Sequence, residues 1–195
     1  MKKTMYMMCC GETLFDELHR MQGWCDSPLT NKGIDQAKQA YEVLKERNFD
    51  ATFCSYTRRA IETAEIISRS NYKKLLALNE MYFGTLEGTH FEKIGYPEMP
   101  YDEIMNYFAE CGGESGREAS RRIMRVCRDI MDKKGNDEVL VISHSLVASL
   151  LARESWMEDI EIDPEAKIFK GVIFKYSYRV STKEFKLEEI INPAE

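Results

Sequence analysis

No stretch of this 195-residue chain approaches the roughly 20 consecutive apolar residues that a membrane-spanning helix requires. The apolar run after Lys2 and Lys3 ends at Gly11-Glu12, with Asp16-Glu17 close behind, too soon for a signal peptide. No long basic block offsets the formal charge of −6, which argues against a nucleic-acid binder. An anionic ligand therefore needs a local positive pocket in an acidic protein. Internal repeats, low-complexity tracts and linkers are also missing, so residues 1–195 read as one domain. Cysteine is too sparse for a disulfide scaffold. The six residues Cys9, Cys10, Cys25, Cys54, Cys111 and Cys127 are scattered, and Cys54 and Cys127 fall on apolar faces as buried free thiols. A reducing cytoplasm is the expected compartment.

What is present is a soluble composition, 44% hydrophobic and 31% charged, with length enough for one sizeable core. Strand-like apolar runs occur at Thr4–Met8, Ala51–Ser55, Leu75–Leu78 and Val139–Ser143. Helical spacing separates them. Ile34, Ala37, Tyr41 and Leu44 follow Thr30, an N-cap candidate; Ala60, Ala64 and Ile67 form a second face; Ile123, Val126, Cys127, Ile130 and Met131 form a third that stops near Gly135. Strand alternating with helix predicts an α/β fold, a three-layer α/β/α sandwich with a mostly parallel central sheet. Gly171–Val180 and Glu184–Ile191 flank Ser181-Thr182-Lys183 and predict an antiparallel hairpin that closes the sheet. Between Gly84 and Gly113 the periodicity fails. Gly95, Pro97, Pro100 and the aromatics Phe91, Tyr96, Tyr101, Tyr107 and Phe108 predict a loop-rich insertion with a short helix, packing its own small core or walling a substrate pocket.

In a parallel α/β sheet, ligands bind beyond the carboxyl ends of the strands. Three such ends gather polar groups here: Cys9-Cys10-Gly11-Glu12-Thr13, Cys54-Ser55 leading to Arg58-Arg59, and Ser143-His144-Ser145. An arginine forks hydrogen bonds onto phosphate, and a helix starting near Ser145 offers free N–H groups to an anion. Singly these are weak signals, since most helix arginines are surface charges.

Taken in order they resemble the motif blocks of the histidine phosphatase superfamily, the phosphoglycerate-mutase-like enzymes. The blocks are Arg20-Met21-Gln22-Gly23-Trp24-Cys25-Asp26-Ser27-Pro28-Leu29-Thr30, Arg59-Ala60 with Glu62-Thr63-Ala64, Asn79-Glu80 with Phe83-Gly84 and Leu86-Glu87-Gly88, Gly112-Gly113-Glu114-Ser115 with Arg122, and Val141-Ile142-Ser143-His144. They cover about residues 4–150. The resemblance implies a phosphohistidine mechanism in which Glu80 matches the general acid, Arg59 the second arginine and His144 the second histidine. The nucleophilic histidine falls on Cys10 and the first arginine on Cys9. It further implies phosphate contacts at Cys9, Asp16, Gln22, Gly23, Arg59 and Ser145, with no cofactor and no metal. Where Asp16 stands the family often has Asn, and where Ser145 stands it usually has Gly. The Asp16 carboxylate either faces the phosphate or pairs with Arg20, four residues on.

With neither histidine nucleophile nor first arginine, the expected function is a non-catalytic binder of a phosphorylated small molecule or phosphoprotein, monomeric or homodimeric. The competing expectation is a phosphomonoesterase with residual or Cys10-dependent activity. Cys-dependent phosphatases place an Arg six residues beyond the thiol, whereas here Asp16 follows Cys10 by that spacing. A zinc site on Cys9, Cys10, Glu80 and His144 is opposed by strand geometry, because adjacent strand residues point to opposite faces. Mutase activity is disfavoured by the short insertion and the depleted Arg/His set.

Overall fold

The computed structural model describes residues 1–68, 71–94, 101–155 and 170–194; Gly95, Tyr96, Pro97, Pro100 and the side chain of Tyr101 lie outside the described residues. Strand β1 (Lys2–Cys9) sits inside a six-stranded sheet of order β3-β2-β4-β1-β5-β6. It pairs in parallel with β4 (Glu138–Ser143), which pairs in parallel with β2 (Ala51–Cys54). Strands β5 (Ile173–Arg179) and β6 (Glu184–Ile191) form the antiparallel hairpin next to β1, as its two apolar runs predict.

Helices cover both faces. Met5, Met7, Cys9, Val139 and Val141 pack against α5 (Gly116–Met131) and α6 (Ser145–Glu154), while Tyr6, Met8, Leu140 and Ile142 pack against α2 (Asn31–Leu44) and α3 (Arg58–Ser68). This is the expected three-layer sandwich, and the period-two alternation of β1 divides its residues between the two cores. Met5, Met7 and Met8 are all fully buried, so thioethers floor the sheet below Cys10 on both sides.

Local chemistry sets the helix starts. Thr30 Oγ1 accepts the Gly33 N–H as N-cap of α2, and Ser115 with Glu118 forms a reciprocal capping box on α5. Short α1 (Leu14–Glu17) begins with another, made by Thr13 and Asp16. The sheet-facing residues of α5 are Ile123, Val126, Cys127, Ile130 and Met131, the set that its spacing predicts.

One strand prediction fails. Leu75–Leu78 is no strand; the edge strand β3 is Lys73–Lys74, and Leu76–Leu78 forms a 3-10 turn that buries Leu78 and leaves Leu76 exposed. Lysines on an exposed edge strand deter edge-to-edge pairing, and composition alone could not separate them from the leucines that follow.

The loop after β1 lies directly on α2. A Cβ on Gly11 would stand 2.3 Å from the Gly33 carbonyl oxygen, and one on Gly33 would stand 2.1 Å from that of Glu12. Glu12 N–H donates to Gln36 Oε1 and Thr30 N–H to the Glu12 carbonyl, which fixes the loop that carries Cys10.

Within the insertion, α4 (Tyr101–Glu110) is the predicted short helix. Phe83, Ile94, Met105 and Phe108 form a third cluster with Met21, Met81, Ala119 and Leu150. No helix among the described residues is long and apolar enough to cross a membrane.

Candidate active site

The carboxyl ends of β1, β2 and β4 converge on a cavity of about 90 Å³ lined by Cys10, Asp16, Arg20, Gln22, Gly23, Arg59, Glu80, His144, Ser145 and Lys170, with Met21, Phe83, Phe91, Phe108 and Leu146 on its apolar side. Eight of the nine residues that the resemblance singles out therefore meet in one place. Cys9 is the exception. It is fully buried in the core on the α5–α6 face, turned there by strand alternation, so it contacts no phosphate held in the cavity. Burial, with Cys10 and Glu80 nearby, pushes its thiol well above the ordinary range.

At the centre, Cys10 Sγ lies 3.6 Å from His144 Nδ1. The same nitrogen accepts the Arg59 Nε–H at 3.2 Å, and since a guanidinium only donates, Nδ1 carries a lone pair. The imidazole proton is thereby assigned to Nε2, facing Ser55 Oγ at 2.8 Å and Thr57 Oγ1 at 3.3 Å. Ser55 Oγ in turn donates to Asn79 Oδ1 at 2.9 Å, completing the proton chain. Burial lowers the His144 pKa well below its ordinary value, and Arg59, Lys170 and Arg122 lower it further. Burial raises the Cys10 thiol, against the pull of Lys170 and Arg59. Both effects favour a neutral thiol–imidazole pair.

Arg59 is buried at the start of α3. It donates from Nη1 to the Cys25 carbonyl (3.2 Å) and Asp26 Oδ1 (3.4 Å), and from Nη2 to the Gly23 carbonyl (2.7 Å). Gly23 has φ +56°, and a Cβ there would meet Glu87 Oε1 at 2.2 Å, so this turn needs glycine to present its carbonyl. Gln22 is held between Thr13 Oγ1 and Ser27 Oγ.

Two expectations are corrected. The N-terminus of α6 is shared with a side chain of the protein itself: Glu80 accepts the N–H groups of Val147 (3.1 Å, Oε1) and Leu146 (3.2 Å, Oε2), with Met81 N–H also on Oε1 at 3.0 Å. Glu80 thus caps a helix 66 residues away in sequence while facing the cavity. Asp16, for its part, does not pair with Arg20, which donates to the Gly88 carbonyl at 2.6 Å. Asp16 Oδ2 accepts Thr13 N–H (2.8 Å) and Thr13 Oγ1 (2.7 Å) and pairs with Lys170 Nζ at 2.8 Å. Burial opposes that carboxylate, but Lys170 and Thr13 hold its pKa below the ordinary value.

Lys170 is a cavity residue that sequence reasoning missed. It precedes β5, outside the motif blocks, and nothing local marks it. Backbone bonds place it: Gly171 N–H donates to the Cys10 carbonyl at 3.3 Å and Cys9 N–H to that of Val172 at 2.9 Å.

A family model described as the histidine phosphatase superfamily (branch 1) matches residues 5–180. The chain belongs to the histidine phosphatase superfamily. Among relatives in the superfamily, the adenosylcobalamin/alpha-ribazole phosphatase of Salmonella typhimurium is 31% identical over 153 residues, 72% of this chain and 73% of that protein. A 2,3-bisphosphoglycerate-dependent phosphoglycerate mutase of Elusimicrobium minutum is 34% identical over 94 residues, 44% of this chain and 38% of its own. The crystal structure of a phosphoglycerate mutase from Bacillus anthracis matches with TM-score 0.83 at 23% identity, covering 99% of this chain and 94% of the other, a likeness of fold. The alpha-ribazole phosphatase of Shigella flexneri gives TM-score 0.74 at 25% identity, with 97% and 96% covered. These findings overturn the expectation of a non-catalytic binder. The superfamily relatives that match most of this chain's length are named as enzymes, and the phosphomonoesterase reading takes its place.

Proposed function

We propose that the chain is a phosphomonoesterase acting on a small phosphorylated molecule, with the Cys10 thiol as nucleophile. In this reading Cys9 and Cys10 stand where the family carries Arg and His, and residues 1–195 form one catalytic domain, with Phe91 and Phe108 of the insertion as the wall beside the leaving group. The observation that carries it is the 3.6 Å approach of Cys10 Sγ to His144 Nδ1 in a cavity that also holds Arg59 and Glu80. Support for a phosphatase over a mutase comes from the cavity, whose volume of about 90 Å³ leaves little room to retain a phosphorylated intermediate, and the phosphatase relatives are consistent with it.

The chemistry follows from the network. A bound phosphate oxygen competes with His144 Nδ1 for the Arg59 Nε–H, which frees the Nδ1 lone pair for the thiol proton. A dianion beside His144 also offsets the cations that depress its basicity. Cys10 Sγ then attacks phosphorus, the ester P–O bond breaks and Glu80 protonates the departing oxygen. Water, giving its proton to Glu80, displaces sulfur from the phosphocysteine, and His144 returns the thiol proton.

The test is phosphate release from a panel of small phosphomonoesters, with mass spectrometry of acid-quenched enzyme for phosphate on Cys10. Turnover with a trapped phosphocysteine supports the reading, and no release from any substrate sinks it. Replacing Glu80 by Gln should slow alkyl phosphates about 100-fold, the usual worth of a positioned acid, while a nitrophenyl phosphate with its good leaving group slows far less. Equal losses on both would remove Glu80 from the acid role.

A further inference from the structure

Three cations line the cavity, Arg20, Arg59 and Lys170, and the two arginines are partly engaged: Arg20 Nη1 donates to the Gly88 carbonyl. Of the five N–H groups of a guanidinium, Arg59 spends both Nη1 hydrogens on Cys25 and Asp26 and one Nη2 hydrogen on Gly23, which leaves a phosphate the second Nη2 hydrogen and the Nε–H that it takes over from His144. Cys9 faces the opposite core and contributes nothing.

We propose that Lys170 is a phosphate-binding residue of this site, and that Asp16 is its exchangeable counter-ion, holding the ammonium at the cavity until substrate takes it over. The assignment rests on the phosphomonoesterase reading and adds to it a further cation for the dianion. Three observations support it. Lys170 lines the same cavity as Cys10, and its side chain is only 16% exposed. Its ammonium has three N–H groups, one of them aimed at Asp16 Oδ2 at 2.8 Å, so it turns toward a new anion by rotation alone. The partner it leaves is not stranded, because Asp16 Oδ2 keeps the N–H of Thr13 and shares its O–H with Gln22 Oε1. The backbone bonds from Gly171 to Cys10 and from Cys9 to Val172 tie the lysine to the nucleophile's own strand end, so the two stay in register.

Lys170 also acts on the thiol. Its charge is the largest influence drawing the Cys10 pKa down against burial. One residue then binds the substrate and favours the reactive thiolate.

The test is calorimetric titration of inorganic phosphate at pH 7 into the wild type, Lys170→Met, Lys170→Arg and Asp16→Asn, each checked by thermal melting. Lys170→Met should weaken phosphate binding at least about tenfold, Lys170→Arg should restore most of it, and Asp16→Asn should tighten it by removing both the competitor and a like charge. The opposite signs are diagnostic. A lysine that merely neutralises Asp16 would give losses of stability in both variants and no gain of affinity in either. Unchanged affinity in Lys170→Met, or weakened binding in both variants, overturns the assignment. Binding is read without turnover. Phosphate held through Lys170 by a protein that releases no product would retire the Cys10 mechanism and leave the lysine in place.

Discussion

Replacing Cys10 by alanine should lower kcat/KM for an aryl phosphate by about 10³-fold or more, while the folded state survives. The rate loss follows from removing a covalent nucleophile, which in enzymes that act through one commonly costs several orders of magnitude. Stability should change by only about 1 kcal/mol, because one sulfur atom leaves a small cavity that opens to solvent. A Cys10→Ala protein that keeps its rate would move the nucleophile to water and sink the thiol mechanism. The pH profile gives a second check. Burial raises the Cys10 thiol above its ordinary value, and the reactive form is the deprotonated one. Because His144 takes the thiol proton in the proposed step, the competent pair carries one proton, and activity should hold level through the ordinary thiol range, about 8.5, instead of climbing across it. His144, lowered well below its ordinary value, remains a neutral acceptor throughout and should add no acidic limb near 6.5. A profile that climbs tenfold per pH unit through that range would mean that the thiol must lose its proton to solvent before it attacks, against His144 as its base.

Gly33→Ala should destabilise the fold by about 3 kcal/mol, a drop of about 6–10 °C in Tm for a chain of this size. Helix propensity gives the opposite sign, since alanine in a helix is worth up to about 1 kcal/mol over glycine. Contact decides the outcome. The new methyl would lie 2.1 Å from the Glu12 carbonyl oxygen and 2.8 Å from the Glu12 nitrogen, backbone atoms with no rotamer to escape into. The displaced segment is the loop that carries Cys10, so activity should fall with stability. Calorimetric unfolding reads the sign directly, and a raised Tm would show that the loop yields at little cost.

The layer arrangement was legible because apolar runs and helical spacing alternate along the chain, and each run has room for only one kind of element. Where three leucines and an alanine stood together at 75–78, composition could not place the strand, and the exposed lysine pair before them took the edge. The site was legible as far as its motifs ran. Arg59, Glu80, His144, Gln22, Gly23 and Ser145 all reach the cavity. The alternation that argued against a two-thiol zinc site also removes Cys9 from the phosphate, a step open to anyone reading the strand. Long-range pairings were beyond reach. The hold of Glu80 on α6 and of Asp16 on Lys170 joins residues far apart in sequence, and no local periodicity records which carboxylate meets which donor.

The methionines of β1 bear on how such a site changes hands. A strand floored by branched or aromatic side chains would resist a new volume at its carboxyl end, since those shapes have few rotamers to offer. Met7 and Met8 precede Cys10 on the two faces of the sheet, fully buried and unbranched, with three torsions each to redistribute space. A new side chain at position 10 should therefore be absorbed by these thioethers without disturbing the sheet, so Cys10→His should melt within a few degrees of the wild type.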